Sequence, residues 1–124
     1  MTHEELSIDI KPANDGHTLV FTLHGSLDIA TSPSVRAAMT EASVKNHQNV
    51  VVDLRGVEFI DSTGLGALIG AHKRASESGG SLRIVGQDGP IERLLNITGL
   101  IRVLSLYRSL EDALADRDRV VSSV

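Results

Sequence analysis

The sequence predicts an α/β domain built on a small mixed β-sheet, with an N-terminal hairpin and helices packed mainly on one face. Three observations carry this. Val50-Val51-Val52-Asp53-Leu54 is a short, valine-rich run without alternation, the pattern of a strand covered on both faces. Downstream, Leu65, Leu68, Ile69 and His72 recur at helical spacing, with Gly66, Ala67, Gly70 and Ala71 between them. Asn14-Asp15-Gly16 separates two short apolar segments, which is a hairpin signal.

Taken in order, Leu6 to Ile10 alternates and predicts a first strand, and Thr18 to Leu23 a second, paired with the first through the Asn-Asp-Gly turn. Ser32-Pro33 starts a helix, with Ser32 as cap and Pro33 at the first position, running to about Val44. Val50 to Leu54 is the next strand. After a short connector, a helix starts at Ser62 and ends near Ser78-Gly79-Gly80. Leu82 to Val85 is a further apolar strand. Asp88-Gly89-Pro90 opens a short helix over Ile91 to Ile97, closed by Gly99. Ile101 to Leu104 is expected as a short edge strand, Ser109 and Asp112 as a capping box for a last helix, and Asp116 to Val124 as a frayed tail. Strands separated by helices imply parallel pairing through right-handed crossovers.

Composition limits what this domain does. A chain of 124 residues is one domain, 1–124 with a core of about 6–115, large enough to bury a single core unaided. It has no cysteine, so a disulfide framework, a thiolate metal site and a thiol nucleophile are excluded. No apolar run has the length of a transmembrane helix, and the N-terminus lacks the basic-then-apolar order of a secretory signal. A cytoplasmic protein with no membrane partner is expected. A net charge of −4, with Phe21, Phe59 and Tyr107 as the aromatics, suits neither phosphate-backbone binding nor base stacking. No nucleic-acid partner is expected.

Most features that could carry chemistry do not. The glycines of Gly64-Leu65-Gly66-Ala67-Leu68-Ile69-Gly70 fall inside the predicted helix rather than in a turn directly after a strand, so they do not form a dinucleotide fingerprint. Close packing of the helix against the sheet or a partner is their expected role. Gly-x-Ser-x-Gly is absent. His3, His17, His24, His47 and His72 lack ligand spacing, although His24, beside Gly25, could approach the Ser62 region. Asp53 and Asp61 are read as structural or loop-organising. No catalytic residue, metal or cofactor is expected, and the chain is not read as an enzyme. What remains is Ser62. It falls at an N-cap or first-turn position behind Asp61, with its hydroxyl accessible and free N–H groups beside it. The positive end of the helix dipole tolerates an added phosphate there. Plain capping and a covalent switch both fit these residues.

Asp61-Ser62-Thr63-Gly64-Leu65-Gly66, following Gly56-Val57-Glu58-Phe59-Ile60, resembles the signature of the bacterial anti-sigma factor antagonists, small single-domain members of the STAS family. Gly25-Ser26-Leu27-Asp28 is similar to the family's upstream Gly-Glu-Leu-Asp loop, and Gly79-Gly80-Ser81-Leu82-Arg83-Ile84-Val85 to its strand after the central helix. Asn96-Ile97-Thr98-Gly99-Leu100 and Ser109-Leu110-Glu111-Asp112-Ala113-Leu114 resemble its later elements, so the similarity runs in family order from about Leu6 to Ala115.

The resemblance implies a STAS-type fold and a partner switch in transcription regulation, of the kind used in stress responses. The unmodified protein would bind an anti-sigma factor that is also a serine kinase and so free the sigma factor. Phosphorylation at Ser62 would end binding, and a PP2C-type phosphatase would restore it. Ser62 carries over as phosphoacceptor, with Thr63 the less favoured hydroxyl, and Asp61 as its neighbour in the interface. Gly25, Asp28, Gly64 and Gly66 carry over as partner-binding positions. For Gly25 and Asp28, turn formation fits the residues equally well, and Ile69 fits core or docking surface. The chain departs from the pattern at Ser26, where the family usually has an acidic residue, which bears on partner choice. The alternative implied function is a STAS module that binds constitutively in a signalling or transport assembly.

Overall fold

The computed structural model describes residues 6–44 and 49–121. Its order is β1 (Ser7–Pro12), β2 (Thr18–Leu27), α1 (Ser32–Val44), β3 (Asn49–Ile60), α2 (Ser62–Glu77), β4 (Ser81–Val85), α3 (Pro90–Thr98), a 3₁₀ turn (Leu100–Arg102), β5 (Ser105–Tyr107) and α4 (Leu110–Ala115). The five strands lie in the order β1-β2-β3-β4-β5. β1 is antiparallel to β2 and every other pair is parallel. The hairpin turn closes as its residues dictate. Gly16 takes the left-handed conformation, and one carboxylate oxygen of Asp15 accepts from His17 N and Thr18 N.

β3 explains the layers. Val50, Val52 and Leu54 face a large core shared with Phe21, Leu23, Leu82 and Ile84, which α1, α2 and α3 cover through Val35, Met39, Leu65, Leu68 and Leu95. Val51 faces the other side with Val20, Val85 and Tyr107, where Ala113 of α4 packs. Three helices thus lie on one face and one short helix on the other, as expected of helices mainly on one face. Continuous burial from Val50 to Leu54 is why this segment reads as an unbroken apolar run.

Asp53, inside that run, is only 5 % exposed. Arg55 answers it bidentately, Nη2 to Oδ2 at 2.7 Å and Nε to Oδ1 at 3.0 Å, and Arg55 N donates to the same Oδ1. Burial works against ionisation of this carboxyl, but the hydrogen bonds and charge of Arg55 outweigh it and hold its pKa below the ordinary value.

Four expectations are corrected. The connector after Leu54 is strand, since β3 runs on to Ile60. Polar and glycine positions there hid it, because β2 pairs along it with two register shifts. Ile101 to Leu104 is not a strand. Leu100–Arg102 is a 3₁₀ turn whose Ile101 is buried, and Ser105–Tyr107 forms the edge strand. α1 begins at Ser32, so Ser32 is a buried first-turn residue rather than the cap. The tail is docked as far as it is described. Asp116 caps α4 in the left-handed conformation, Arg117 pairs with Glu111 and Asp112, and Val120 N donates to Leu106 O at 2.8 Å. Residues 122–124 lie outside the described residues, as do His3 and His47. At the start of α4 only the serine half of the capping box is formed, Ser109 Oγ accepting from Asp112 N at 3.0 Å.

Leu68, fully buried on α2, tests the larger core. Leu68→Ala should lower the unfolding free energy by about 2–5 kcal/mol in urea titration. Asp53 sets an acid limit. Its ionised form is favoured in the folded state, so its contribution is present above the unfolded carboxyl pKa and lost as pH falls through the folded value. Unfolding free energy should therefore decline below about pH 4, and Asp53→Asn should flatten that decline at the cost of lower stability near neutrality.

Candidate functional site

At the carboxyl ends of β2 and β3, two chain segments meet at the N-terminus of α2. Asp61 joins them. Its backbone is extended, with φ −106° and ψ −177°, as an N-cap requires, and its Oδ1 accepts from Gly64 N at 2.9 Å. Its Oδ2 accepts from Ile29 N at 3.1 Å, across to the loop after β2. Asp61 N donates to Leu27 O at 3.2 Å and Leu65 N to Asp61 O at 3.0 Å. The cap is therefore Asp61, and Ser62 is the first helical residue.

The loop that Asp61 holds is itself closed by Asp28. One carboxylate oxygen of Asp28 accepts from Ala30 N at 2.9 Å and Thr31 N at 3.1 Å. Thr31 Oγ1 accepts from Asp28 N at 2.9 Å and donates to Ser26 O at 2.7 Å. Asp28 thus builds the turn, one of its two anticipated roles. Gly25 has φ +113°, a backbone that side chains rarely adopt, so a glycine is needed where β2 bends toward this loop.

The expected site residues come together unequally. Ser62 is exposed, while Thr63 and Asp61 are half-buried beside it. With Gly64 N and Leu65 N answered by Asp61, the N–H groups of Ser62 and Thr63 are the two that the helix leaves over. Gly64 is buried. A Cβ there would stand 2.4 Å from Leu27 O, so this glycine lets α2 start against the end of β2. Gly66, one turn on from Ser62, has room, the nearest atom to an added Cβ being an Arg36 guanidinium nitrogen at 3.7 Å. Ile69 packs partly into the core. His24 is exposed on β2. It alternates with core-facing Leu23, on the face that carries α4, and lies against Gly56, where an added Cβ would overlap its ring.

Two residues of this surface were not anticipated. Ile29 is 72 % exposed at the tip of the Asp28 loop, and Phe59 is 55 % exposed opposite Ser26. The register shift after Gly25 inserts Glu58 into β3, so Glu58 and Phe59 both turn outward and simple alternation fails. The available signal was chemical. A phenylalanine and an isoleucine stand in segments otherwise rich in turn and charged residues. Asp61 precedes the serine, Asp28 closes the loop that Asp61 holds, Glu58 is exposed near the end of β3, and Arg36 stands by Gly66 one turn along α2. Among the described residues no group of three or more His, Asp or Glu is placed to hold a metal ion, and no helix is long and apolar enough to cross a membrane.

Residues 9–113 match the STAS domain family. The chain belongs to that family. This STAS domain is 30% identical over 116 residues to an anti-sigma F factor antagonist of Paenibacillus polymyxa, covering 93% of this chain and 99% of the relative. It is 34% identical over 101 residues to an anti-sigma-B factor antagonist of Listeria monocytogenes, with 82% and 88% of the two chains covered. The crystal structure of an anti-sigma factor antagonist from Mycobacterium paratuberculosis superposes with a TM-score of 0.81 at 26% identity, over 92% of this chain and 96% of that one. The STAS-type fold and the family read from the Asp61–Gly66 hexapeptide and the motifs in order around it are thereby established.

Asp61 carries two jobs in one carboxylate, and they are separable. Asp61→Ala should cost about 0.5–2 kcal/mol, the usual value of an N-cap. It should also raise amide exchange at Ile29, whose N–H loses its acceptor, while exchange in the β1–β2 ladder stays unchanged.

Proposed function

We propose that this STAS domain is an anti-sigma factor antagonist controlled at Ser62. In its unmodified form it binds an anti-sigma factor that is also a serine kinase, through Ser62, Asp61 and the Gly25–Asp28 loop, and thereby frees a sigma factor. The kinase transfers the γ-phosphoryl group of ATP to Ser62 Oγ, releasing ADP and the hydroxyl proton, and the modified domain leaves. A PP2C-type phosphatase hydrolyses the phosphoserine and restores binding, and the cycle runs in the cytoplasm. The relatives named as anti-sigma factor antagonists support this reading. The observation that carries it is the exposure of Ser62 at the first position of a helix whose cap is tied to the loop after β2.

The physical chemistry of the switch follows from that position. A phosphoserine adds about −1.5 to −2 charges and three acceptor oxygens. At the free end of α2 it meets the two left-over N–H groups and the positive end of the helix dipole, so the fold tolerates it. In a docked interface the same charge is desolvated next to Asp61 and the Asp28 loop that Asp61 holds, where it opposes binding. Losing about 3 kcal/mol is roughly a hundredfold in affinity, enough to reverse a competition between partners. No large rearrangement is required. Ile29 and Phe59 provide the apolar contact that a charged rim alone lacks.

The test is titration calorimetry of three proteins against an anti-sigma serine kinase of the host. Ser62→Ala should bind as the parent does, and Ser62→Asp should bind about a hundredfold more weakly at unchanged thermal stability. Equal affinity of the two variants would instead identify a constitutive STAS binding module. Phe59→Ala and Ile29→Ala should each cost about 1–2 kcal/mol of binding while leaving the urea midpoint within error, because neither side chain is part of the core.

A further inference from the structure

β1 is an edge strand, and the groups on its open side can be assigned from its pairing. Ala13 N donates to Thr18 O at 2.8 Å, and the register continues as Lys11 opposite Val20, Asp9 opposite Thr22 and Ser7 opposite His24. Hydrogen-bonded and non-bonded pairs alternate along an antiparallel ladder. Ser7, Asp9 and Lys11 therefore turn their N–H and C=O groups toward β2, while Ile8, Ile10 and Pro12 turn theirs outward. Pro12 stands where its missing N–H costs the sheet nothing. Among the described residues no strand pairs with this open side, which offers two donors, from Ile8 and Ile10, and three carbonyls.

The side chains follow the same alternation. Ile8 packs partly against the larger core, and Ile10, at the rim of that face, is left 44 % exposed. Asp9 and Lys11 lie on the opposite face, both exposed, with Lys11 Nζ 3.8 Å from Asp9 Oδ2. Read from either end about Ile10, the strand is complementary to itself. Nine and eleven carry opposite charges and ten is apolar.

We propose that β1 is a self-association edge, pairing antiparallel with β1 of a second copy about a two-fold axis at Ile10. Ile10 then faces Ile10 of the second copy, with two hydrogen bonds between them. Ile8 N–H donates to the Pro12 carbonyl of the second copy, and the reverse. Asp9 stands opposite Lys11 of the second copy on both sides of the axis, the favourable cross-strand arrangement of unlike charges. The interface is isologous, as a two-fold dimer requires, and it joins two five-stranded sheets into one. Because β2 and β3 of the two copies run in opposite directions, their Ser62 ends point away from each other. Both stay accessible, so this association is independent of the function proposed above.

Sedimentation equilibrium of the full chain, up to about 1 mM, tests it. A weak dimer is expected, with a Kd on the order of 0.1 mM for so small an interface. Lys11→Asp sets carboxylates against carboxylates and should weaken association at least about tenfold. The exchange Asp9→Lys with Lys11→Asp restores the complementarity and should restore the dimer. Ile10→Pro removes an outward donor without touching the β1–β2 ladder, and should give a monomer with an unchanged circular dichroism spectrum. A parent protein that is monomeric throughout overturns the proposal. So does a dimer that is indifferent to Lys11→Asp or is not recovered by the exchange.

Discussion

A strand buried on both faces must carry apolar side chains on both sides, and it forces the rest of the chain to supply two covering layers. β3 is that strand. Val50, Val52 and Leu54 require α1, α2 and α3, while Val51 requires the smaller cluster sealed by α4. Its place in the middle of the sheet also fixes the connections. The segments entering and leaving it must cross over the sheet, so α1 precedes it and α2 follows it, and its two neighbours, β2 and β4, pair parallel to it. The one charged residue it buries, Asp53, is acceptable because Arg55, two residues on, returns a bidentate pair.

The same strand delivers the site. By running to Ile60 it brings Asp61 level with the end of β2, where Leu27 O receives Asp61 N and Gly64 packs without a Cβ between. Asp61 can then cap α2 and hold Ile29 N with its second oxygen. The exposed serine is therefore mounted on two restrained elements rather than on a mobile loop, which suits a surface that must be recognised in one form and refused in the other. A charge added to such a surface acts through the contact itself, without remodelling the domain that bears it.

The hairpin, the helix starting at Ser62, the apolar strands and the family signature were legible because each rests on local rules. Turn residues, helical period, capping and short apolar runs all act within a few residues of the chain. The extension of β3 was not legible. Its two register shifts against β2 break the alternation that marks a strand, and the same shift turns Glu58 and Phe59 outward together. The edge strand was misplaced by a few residues because Ile101 and Leu104 are buried in a turn, where burial gives no period to read. The tail, read as frayed because it is a chain terminus, is held by a main-chain bond from Val120 to Leu106, to which the side-chain pattern is blind.

The sequence by itself determined the hairpin, the helices, the two-sided burial of the Val50–Leu54 strand and the position of Ser62 at a helix start. These depend on the near neighbours of each residue. Only the tertiary structure decided that Asp61 rather than Ser62 is the cap and that Asp61 reaches Ile29. It also decided that Gly64 is buried while Ser62 is not, and that Ile29 and Phe59 are left exposed on the loop after β2 and the end of β3. Those outcomes are set by which segments the sheet brings side by side, and contacts between residues some thirty positions apart leave no trace in local periodicity.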